Sequence, residues 1–448
     1  MASMGPRVAA CAVVLATGCG RLGFDAVSSP SDGEPADALP APTTVTVETD
    51  QRGVAAAAPQ AGVLVWTNLA SGELDDVGLT DGSGRASLHL DPGGAVTAAY
   101  APAVSAVRAF AVEVPTSHVR TVLAAQPGDT LVFGDVGPVC DFTPRGTVTV
   151  SWAPVGGAVT YAVQTACNGF STATTIATWN LIASDPDPSD LVIYALDGSG
   201  VPIAAAAKLS VGFGDGDQIA IASVDWSVPP AVTAELTGLP AQFQATANLT
   251  VQTPLGVVDA GGGLVAIGLG SGTVTVARPS ALANPRLTLG VVGMLAGVPA
   301  IQIQRVVPAG ATVAIEPAGA AFPPVIAAPT WDTGSRTASW SLTNEGAADA
   351  YDVLVNRTDT TGNGLQWTVL APFDAAVTSV QLPIAPAAAP VADPAQGTLI
   401  EVLGVQTDHA TGWADVRQRP EWTSPRISVF EHATATAVVF AMANGSTP

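Results

Sequence analysis

Short segments in which β-branched and polar residues alternate recur along most of the chain. Examples are Thr43–Thr49 (TTVTVET), Thr147–Trp152 (TVTVSW), Asp352–Asn356 (DVLVN) and Thr378–Leu382 (TSVQL). A period of two residues is typical of strands that bury one face. Clusters of Gly, Pro and Asp separate the segments, and no stretch combines a helical period with capping residues. The pattern therefore predicts an all-β protein made of antiparallel sandwiches in tandem.

A turn followed by a strand recurs three times. The copies are Pro127–Phe133 (PGDTLVF), Asp215–Ile221 (DGDQIAI) and Ala309–Ile315 (AGATVAI), and their glycines are 88 and then 94 residues apart. Each copy is followed by a pair of predicted strands, over Val148–Thr165, Val232–Thr253 and Thr337–Thr358. A period of about 90 residues matches one immunoglobulin-sized sandwich. Chance recurrence of short strands in a β-rich chain is the alternative.

Two of these strand pairs carry aromatic residues at corresponding places. Trp152 and Tyr161 lie in the first pair, and Trp340 and Tyr351 lie in the third, whereas the middle pair lacks both. The two aromatic pairs resemble strands of fibronectin type III domains. The resemblance implies that all four side chains belong to sandwich cores.

Residues 43–120 have a different pattern. Ala61–Trp66 (AGVLVW) is followed by Thr80–Ala86 (TDGSGRA), a strand over Ser87–Leu90 and a Pro92–Gly94 turn. This order resembles the carboxypeptidase regulatory-like domain. The resemblance implies a transthyretin-like β-sandwich that is structural or binds a partner and has no catalytic residues of its own. From the residues themselves, Asp81–Gly84 is predicted to be a hairpin turn whose glycines take positive φ.

The N-terminus indicates export. Val8–Ala16 (VAACAVVLA) follows Arg7 and is too short to span a bilayer as a helix. The sequence Ala-Thr-Gly-Cys that ends at Cys19 resembles the lipobox of bacterial lipoproteins, in which small residues precede an acylated cysteine. The resemblance implies lipidation of Cys19 and attachment to the membrane through N-terminal acyl chains. Gly20, rather than an acidic residue, favours the outer membrane, with its periplasmic or surface face left open. An ordinary cleaved secretory signal is the alternative.

The segment after Cys19 is rich in Pro, Ser and Asp and offers almost nothing to bury, which predicts a disordered tether. The predicted division is a lipoprotein signal peptide over 1–18, the tether over 19–42, the carboxypeptidase regulatory-like sandwich over 43–120, and sandwich repeats over 121–210, 211–305 and 306–448, the last with a Pro-rich insertion at Ala385–Pro394.

Cysteine usage agrees with export. Once Cys11 has been removed with the signal peptide and Cys19 has taken the lipid, Cys140 and Cys167 remain. In an oxidising compartment we expect these two to form a disulfide. A two-thiolate metal site is the alternative, but no His lies near either cysteine.

Charge excludes one class of partner. The chain has 448 residues and a net charge of −21, and its single lysine is Lys208. A surface this poor in cations offers no electrostatic site for nucleic acid. It would also be repelled by anionic lipid headgroups, so we expect membrane attachment to be covalent or apolar.

Motifs of catalysis are absent from the sequence. The four His do not form a paired metal spacing, and there is no nucleophile elbow, zinc-protease motif or phosphate-binding loop. We therefore expect a protein that is not an enzyme and needs no cofactor. Asp185, Asp187 and Asp190 alternate in a way that suits Ca²⁺, but the intervening prolines favour an extended linker. Glu73, Asp75, Asp76 and Asp81 form a second acidic cluster, for which solvated turn carboxylates are the simpler interpretation.

Two further segments leave alternatives open. Leu287–Ile303 is uncharged and is predicted to form two buried strands joined by a turn, with a membrane-spanning helix as the alternative. Of the nine Trp, only Trp413 and Trp422 are expected to be partly exposed. The favoured function is a structural or adhesive role at the cell surface. The alternatives are binding of surface glycans, an envelope polymer or other envelope proteins, and hydrolysis at an unrecognised site.

Overall fold

The structure is a computed structural model of the chain. The part that it describes comprises residues 43–52, 58–106, 113–136, 144–165, 169–182, 188–228, 231–236, 244–253, 256–266, 272–277, 286–295, 298–307, 312–315, 323–343, 345–358, 364–389, 399–407, 412–418 and 438–446. Strands make up nearly all of its regular structure, which confirms the predicted all-β class.

The first sandwich covers residues 44–136. Its strands are β1 (Thr44–Arg52), β2 (Ala58–Pro59), β3 (Leu64–Asn68), β4 (Leu74–Leu79), β5 (Arg85–His89), β6 (Ala95–Ala106), β7 (Glu113–Val122) and β8 (Thr130–Val136). One sheet consists of β2, β1 and β5, with β8 also paired to β1. The other consists of β7, β6, β3 and β4 in that order. Every second residue of β1 is buried, namely Val45, Val47 and Thr49, as the period-two pattern predicted.

The second sandwich covers residues 144–221. Its strands are β9 (Pro144–Trp152), β10 (Thr160–Gln164), β11 (Gly169–Thr172), β12 (Ile176–Ile182), β13 (Ser189–Leu196), β14 (Pro202–Val211) and β15 (Asp217–Ile221), followed by a 3₁₀ turn at Ser223–Asp225. A four-stranded sheet in the order β11-β10-β13-β14 faces a three-stranded sheet in the order β12-β9-β15.

The third sandwich covers 231–315 and the fourth covers 326–446. The third has β16 (Ala231–Leu236), β17 (Gln244–Thr253), β18 (Gly256–Ala266), β19 (Gly272–Ala277), β20 (Arg286–Leu295), β21 (Val298–Val307) and β22 (Thr312–Ile315). The fourth has β23 (Ile326–Asp332), β24 (Thr337–Leu342), β25 (Ala350–Thr358), β26 (Gly364–Pro372), β27 (Ser379–Gln381), β28 (Leu399–Thr407), the helix α1 (Trp413–Gln418) and β29 (Val438–Ser446). The antiparallel pair β20–β21 confirms the two strands predicted for the uncharged segment.

The recurring turn-and-strand element has one structural role in all three copies. Its strands are β8, β15 and β22, and each pairs in parallel with the opening strand of its own sandwich, β1, β9 or β16. The element therefore closes one sandwich instead of opening the next. The closing strands place the sandwich ends at 136, 221 and 315, one strand later than the sequence indicated. Whether the sandwiches fold independently stays a prediction.

Three of the sandwiches share one sheet. Its twelve strands run in the order β18-β17-β20-β21-β29-β28-β25-β26-β7-β6-β3-β4. The third and fourth sandwiches meet through the antiparallel pair β21–β29, and the fourth and first meet through the parallel pair β26–β7. The pairing thus crosses the boundaries predicted from sequence, because the open edges of neighbouring four-stranded sheets satisfy each other's backbone groups.

In the part of the shared sheet formed by the first and fourth sandwiches, side chains are buried on both faces. Val65 belongs to a cluster with the core of the first sandwich, whereas its neighbour Trp66 belongs to a cluster with the core of the fourth. On β26, Trp367 contributes to the fourth core and Leu370 contributes to the first. The second sandwich is different, since its core cluster, among the residues whose burial the structure describes, lies between 148 and 226.

The Asp81–Gly84 turn differs from its prediction. Its flanking strands do not pair with each other, because β4 pairs with β3 and β5 pairs with β1. The hairpin prediction is therefore wrong, and the turn connects the two sheets of the first sandwich. Of its two glycines only Gly84 takes positive φ, at +73°. The same Asp-Gly-Ser-Gly sequence recurs at Asp197, where it links β13 to β14 with the same hydrogen bonds from Ser and from the residue after the second Gly.

Candidate functional site

The predicted site residues lie largely outside the described part of the chain. Five of them lie outside it, namely Cys19, Cys140, Cys167, Asp185 and Asp187. Lipidation, the disulfide and a calcium site at these residues therefore stay predictions. Asp190 is described. It lies on β13, is buried, and accepts a hydrogen bond from the Ser210 N–H at 2.8 Å. Ser210 has a φ of +55°, so this carboxylate stabilises an unusual backbone conformation at the end of β14.

The acidic cluster of the first sandwich divides into separately bonded carboxylates. Asp81 accepts hydrogen bonds from Ser83 and from the Arg85 N–H, within its own turn. The bond from the Ser83 hydroxyl is the main cause that lowers the pKa of Asp81 below its ordinary value, and the backbone N–H groups add to it. Asp76 accepts from the backbone N–H groups of Val77 and His89, each at 2.8 Å. Within the described residues, no group of three or more His, Cys, Asp or Glu is placed to hold a metal ion.

His89 forms an exposed acid–imidazole pair on β5. Its Nδ1 lies 2.8 Å from Asp75 Oδ2, and its Nε2 lies 4.0 Å from Asp91 Oδ1. The hydrogen bond with Asp75 is the main cause that raises the pKa of His89 above its ordinary value. The pair therefore favours an imidazolium at the surface, which is suited to an ion pair rather than to acting as a general base.

The junction of the first and fourth sandwiches contains a connected set of buried polar contacts. We call the pairing of β7 with β26, from Thr116 opposite Gly364 to Val122 opposite Leu370, the seam. Trp367 Nε1 donates to Thr121 Oγ1 at 3.0 Å, and Thr121 Oγ1 lies 2.9 Å from Thr97 Oγ1. Because these three groups are buried, each one depends on a group of a neighbouring strand for its hydrogen bond.

Further hydrogen bonds join the two sandwiches beyond the seam. The Leu123 N–H donates to the Leu370 carbonyl at 2.9 Å. Asn68 Nδ2 donates to the Ile384 carbonyl at 2.9 Å, although the two residues are 316 positions apart in sequence. The junction therefore extends from the end of β7 to the turn that follows β3.

His118 lies on the seam, opposite Gln366. Burial is the main cause that lowers its pKa from 6.5 to about 4, and the charge of Arg120 acts in the same direction. A hydrogen bond with Gln366 opposes both effects. His118 is therefore neutral at pH 7, which avoids placing a second cation beside Arg120 in this half-buried row.

A second charged contact between the two sandwiches involves the helix α1. Arg417 Nε and Nη2 donate to the two carboxylate oxygens of Asp129, at 2.8 Å and 3.0 Å. The side chains are only 16% and 7% exposed, so the pair is largely removed from water. Asp129 also accepts from the Gln126 N–H at 2.8 Å. No pattern in the sequence predicts this contact, since α1 has only six residues and lies within a polar stretch.

The tryptophans of the described part pack against cores. Five of them are buried, namely Trp66, Trp152, Trp331, Trp340 and Trp367. Trp179 and Trp226 are half-buried and pack against the second core, so the expectation that only Trp413 and Trp422 are partly exposed is wrong. Trp413 is half-buried, as expected, and its ring contacts the first core. Trp422 lies outside the described residues. Each described indole therefore contacts a core, five of them buried and three half-buried.

Comparisons with known proteins add little. No protein-family model matches the chain, and no curated protein matches it significantly. Among solved structures, it is similar to the Bacillus anthracis TIE protein with 12% identity and a TM-score of 0.17, over 61% of this chain and about half (49%) of that one. It is also similar to the shaft pilin SpaA from Lactobacillus rhamnosus GG, with 10% identity and a TM-score of 0.16, over 40% of this chain and 97% of that one. Scores this low carry no argument about function.

A last observation concerns membrane crossing. Among the described residues, no helix has the length and apolar character needed to cross a bilayer.

Proposed function

We propose that the protein is a non-enzymatic, lipid-anchored protein of the cell envelope whose folded part has a structural or adhesive role. One observation supports the proposal above all others: the four-stranded sheets of three sandwiches join into one twelve-stranded sheet. Sandwiches joined only by linkers move relative to one another, whereas backbone hydrogen bonds across two junctions hold these three in register. An architecture of this kind suits a part that bears load or displays a surface.

The buried polar contacts of the described residues are consistent with this role. The buried polar contacts at the seam and between Arg417 and Asp129 join strands and sandwiches. The carboxylates of the acidic cluster stabilise turns and strand edges. We also propose, from the sequence resemblances, that Cys19 anchors the chain in the outer membrane and that residues 43–120 correspond to a carboxypeptidase regulatory-like module.

The anchor is tested by labelling cells with an alkyne fatty acid. The wild-type chain should take the label and Cys19→Ser should not, while Cys11→Ser, which alters the apolar signal segment, should label like the wild type. Equal labelling of wild type and Cys19→Ser would overturn the lipid anchor. Protease treatment of intact cells, compared with lysed cells, then shows which face of the outer membrane carries the folded part.

The role of the folded part is tested with cells that express only residues 1–42 fused to an inert reporter. Loss of surface adhesion or of envelope integrity, with the anchor still labelled, is the expected result. Turnover of ester, peptide or glycoside substrates by the purified chain would overturn the non-enzymatic assignment. Specific signals on a glycan array would favour the alternative role of binding carbohydrate.

A further inference from the structure

We propose that α1 is a strap that locks the first and fourth sandwiches into one folding unit. The first sandwich would then reach its stable form only after residues 326–446 have joined it. The inference concerns the assembly of the chain and does not depend on the proposed function.

The ion pair is the first reason. Asp129 lies in the turn that leads into β8, and the carboxylate is 7% exposed. A carboxylate that is this buried is costly unless it is paired and hydrogen-bonded. Its cation is Arg417, which is 288 positions away in sequence and binds both oxygens through a bidentate contact. The burial and the pairing of Asp129 are therefore both completed by the C-terminal part of the chain.

The packing around the strap is the second reason. Val416 is 1% exposed and belongs to the core cluster of the first sandwich, although it lies in α1. Ala350 and Leu370, from strands of the fourth sandwich, belong to the same cluster. The ring of Trp413 packs on its border. Without these residues the first core would expose apolar surface to water, which is unfavourable in proportion to its area.

The reciprocal contribution is the third reason. Trp66, Ala99 and Val119 of the first sandwich belong to the core cluster of the fourth. Each sandwich thus supplies part of the other's core, and the seam supplies seven paired positions between them. The second sandwich shows the contrast with the first and fourth, because no residue of either of these two belongs to its core cluster as far as the structure describes their side chains. We therefore assign the first and fourth sandwiches to a single cooperative unit and the second sandwich to a separate one.

Hydrogen exchange on the full chain tests the strap. Arg417→Met keeps the length of the side chain but removes its charge and its donors. Amides of β1, β8 and β26 should then exchange about tenfold faster or more, since a charge-assisted bidentate contact is lost. Amides of β13, in the second sandwich, should keep their rates. The matched control is Arg85→Met, because Arg85 forms a solvent-accessible ion pair with Glu48 of β1 at 2.7 Å, and its loss should leave the exchange rates of β8 and β26 unchanged.

Two further measurements keep the proposal testable if Arg417→Met does not fold. Val416→Ala leaves the ion pair intact and should also accelerate exchange in β1 and β8.

The second measurement uses a protease site placed beside Val224 and Val228, which are 87% and 81% exposed between the second and third sandwiches. After cleavage of the folded chain, the two pieces should stay together in gel filtration. Pieces that separate in native buffer, or variants whose faster exchange is confined to α1, would overturn the strap.

Discussion

The indole N–H of Trp367 donates to the hydroxyl of Thr121 at 3.0 Å, across a distance of 246 positions in sequence. The bond is buried and lies on the seam, where β26 and β7 run in parallel. Thr121 in turn lies 2.9 Å from the hydroxyl of Thr97 on β6. A chain of three polar groups thus crosses the junction of the first and last sandwiches.

Replacing Thr121 by Val should destabilise this junction. Val keeps the shape of the side chain but leaves the Trp367 N–H without an acceptor, which costs about 1–3 kcal/mol in the free energy of unfolding. Thr149→Val is the control, because its hydroxyl bonds to Thr178 at an exposed position. Denaturant unfolding followed by Trp fluorescence measures both variants. If Thr121→Val matches the wild type, the bond contributes nothing to stability.

The Asp-Gly-Ser-Gly turn of the first sandwich allows a comparison between two of its own residues. Gly84 has a φ of +73°, and a Cβ added there would lie 2.5 Å from the Thr49 carbonyl oxygen. Gly84→Ala should therefore reduce the free energy of unfolding by about 2 kcal/mol or more. Gly82→Ala should be nearly neutral, since a Cβ there meets nothing within 4 Å. Equal effects of the two substitutions in thermal melts would contradict this account.

The stability of the seam should depend on pH through His118. Its pKa falls from 6.5 to about 4 in the folded chain, so between these values the unfolded chain binds a proton that the folded chain does not. The free energy of unfolding should therefore decrease as pH falls from 6.5 towards 4, with an upper bound of about 3 kcal/mol for this group. His118→Gln should lose that part of the decrease in denaturant titrations at pH 7 and pH 5.

His89 provides the control of opposite sign. Its pKa is raised in the folded chain by Asp75, so its contribution is present at low pH and is lost as pH rises through the folded value. His89→Gln should weaken the protein more at pH 5 than at pH 7. An identical pH response of the two His variants would contradict both assignments.

Asp76 should keep the protein from associating through β4. This strand ends the twelve-stranded sheet, and Leu79 on it is 63% exposed. Asp76 accepts the edge N–H of Val77 and adds a charge, which blocks pairing with another strand. Asp76→Ala should therefore show concentration-dependent association in light scattering. Asp91→Ala removes an equal charge from a nearby exposed position and should stay monodisperse to the same extent as the wild type.

The second sandwich should fold alone, whereas the first should not. A fragment of residues 137–228 contains every residue of the second core cluster and should give a β-type circular dichroism spectrum with a cooperative melt. A fragment of residues 43–136 lacks the fourth-sandwich residues that complete its core and should melt without a cooperative transition. Cooperative melting of the 43–136 fragment would show that the shared core is dispensable.

The local features of this protein could be predicted from its sequence. Alternation with a period of two predicted the strands, and the repeated turn and strand predicted an element that the structure places once in each of the first three sandwiches. The core positions of four aromatic residues were also predicted correctly. The ring centroids of Trp152 and Tyr161 are 5.2 Å apart and those of Trp340 and Tyr351 are 4.8 Å apart, and both are edge-to-face pairs inside cores. These features depend on residues close in sequence, so a pattern of neighbours is enough to predict them.

The tertiary structure alone decided how the sandwiches join. Alternation shows that Val65 and Trp66 point to opposite faces of β3, but it does not show that a second sandwich covers the outer face. Nor does any local pattern state which edge pairs with which, since the backbone groups of every strand edge are chemically alike. The contact between Arg417 and Asp129 also depends on the tertiary structure. A helix of six residues is positioned only by the core on which it packs, here through Val416.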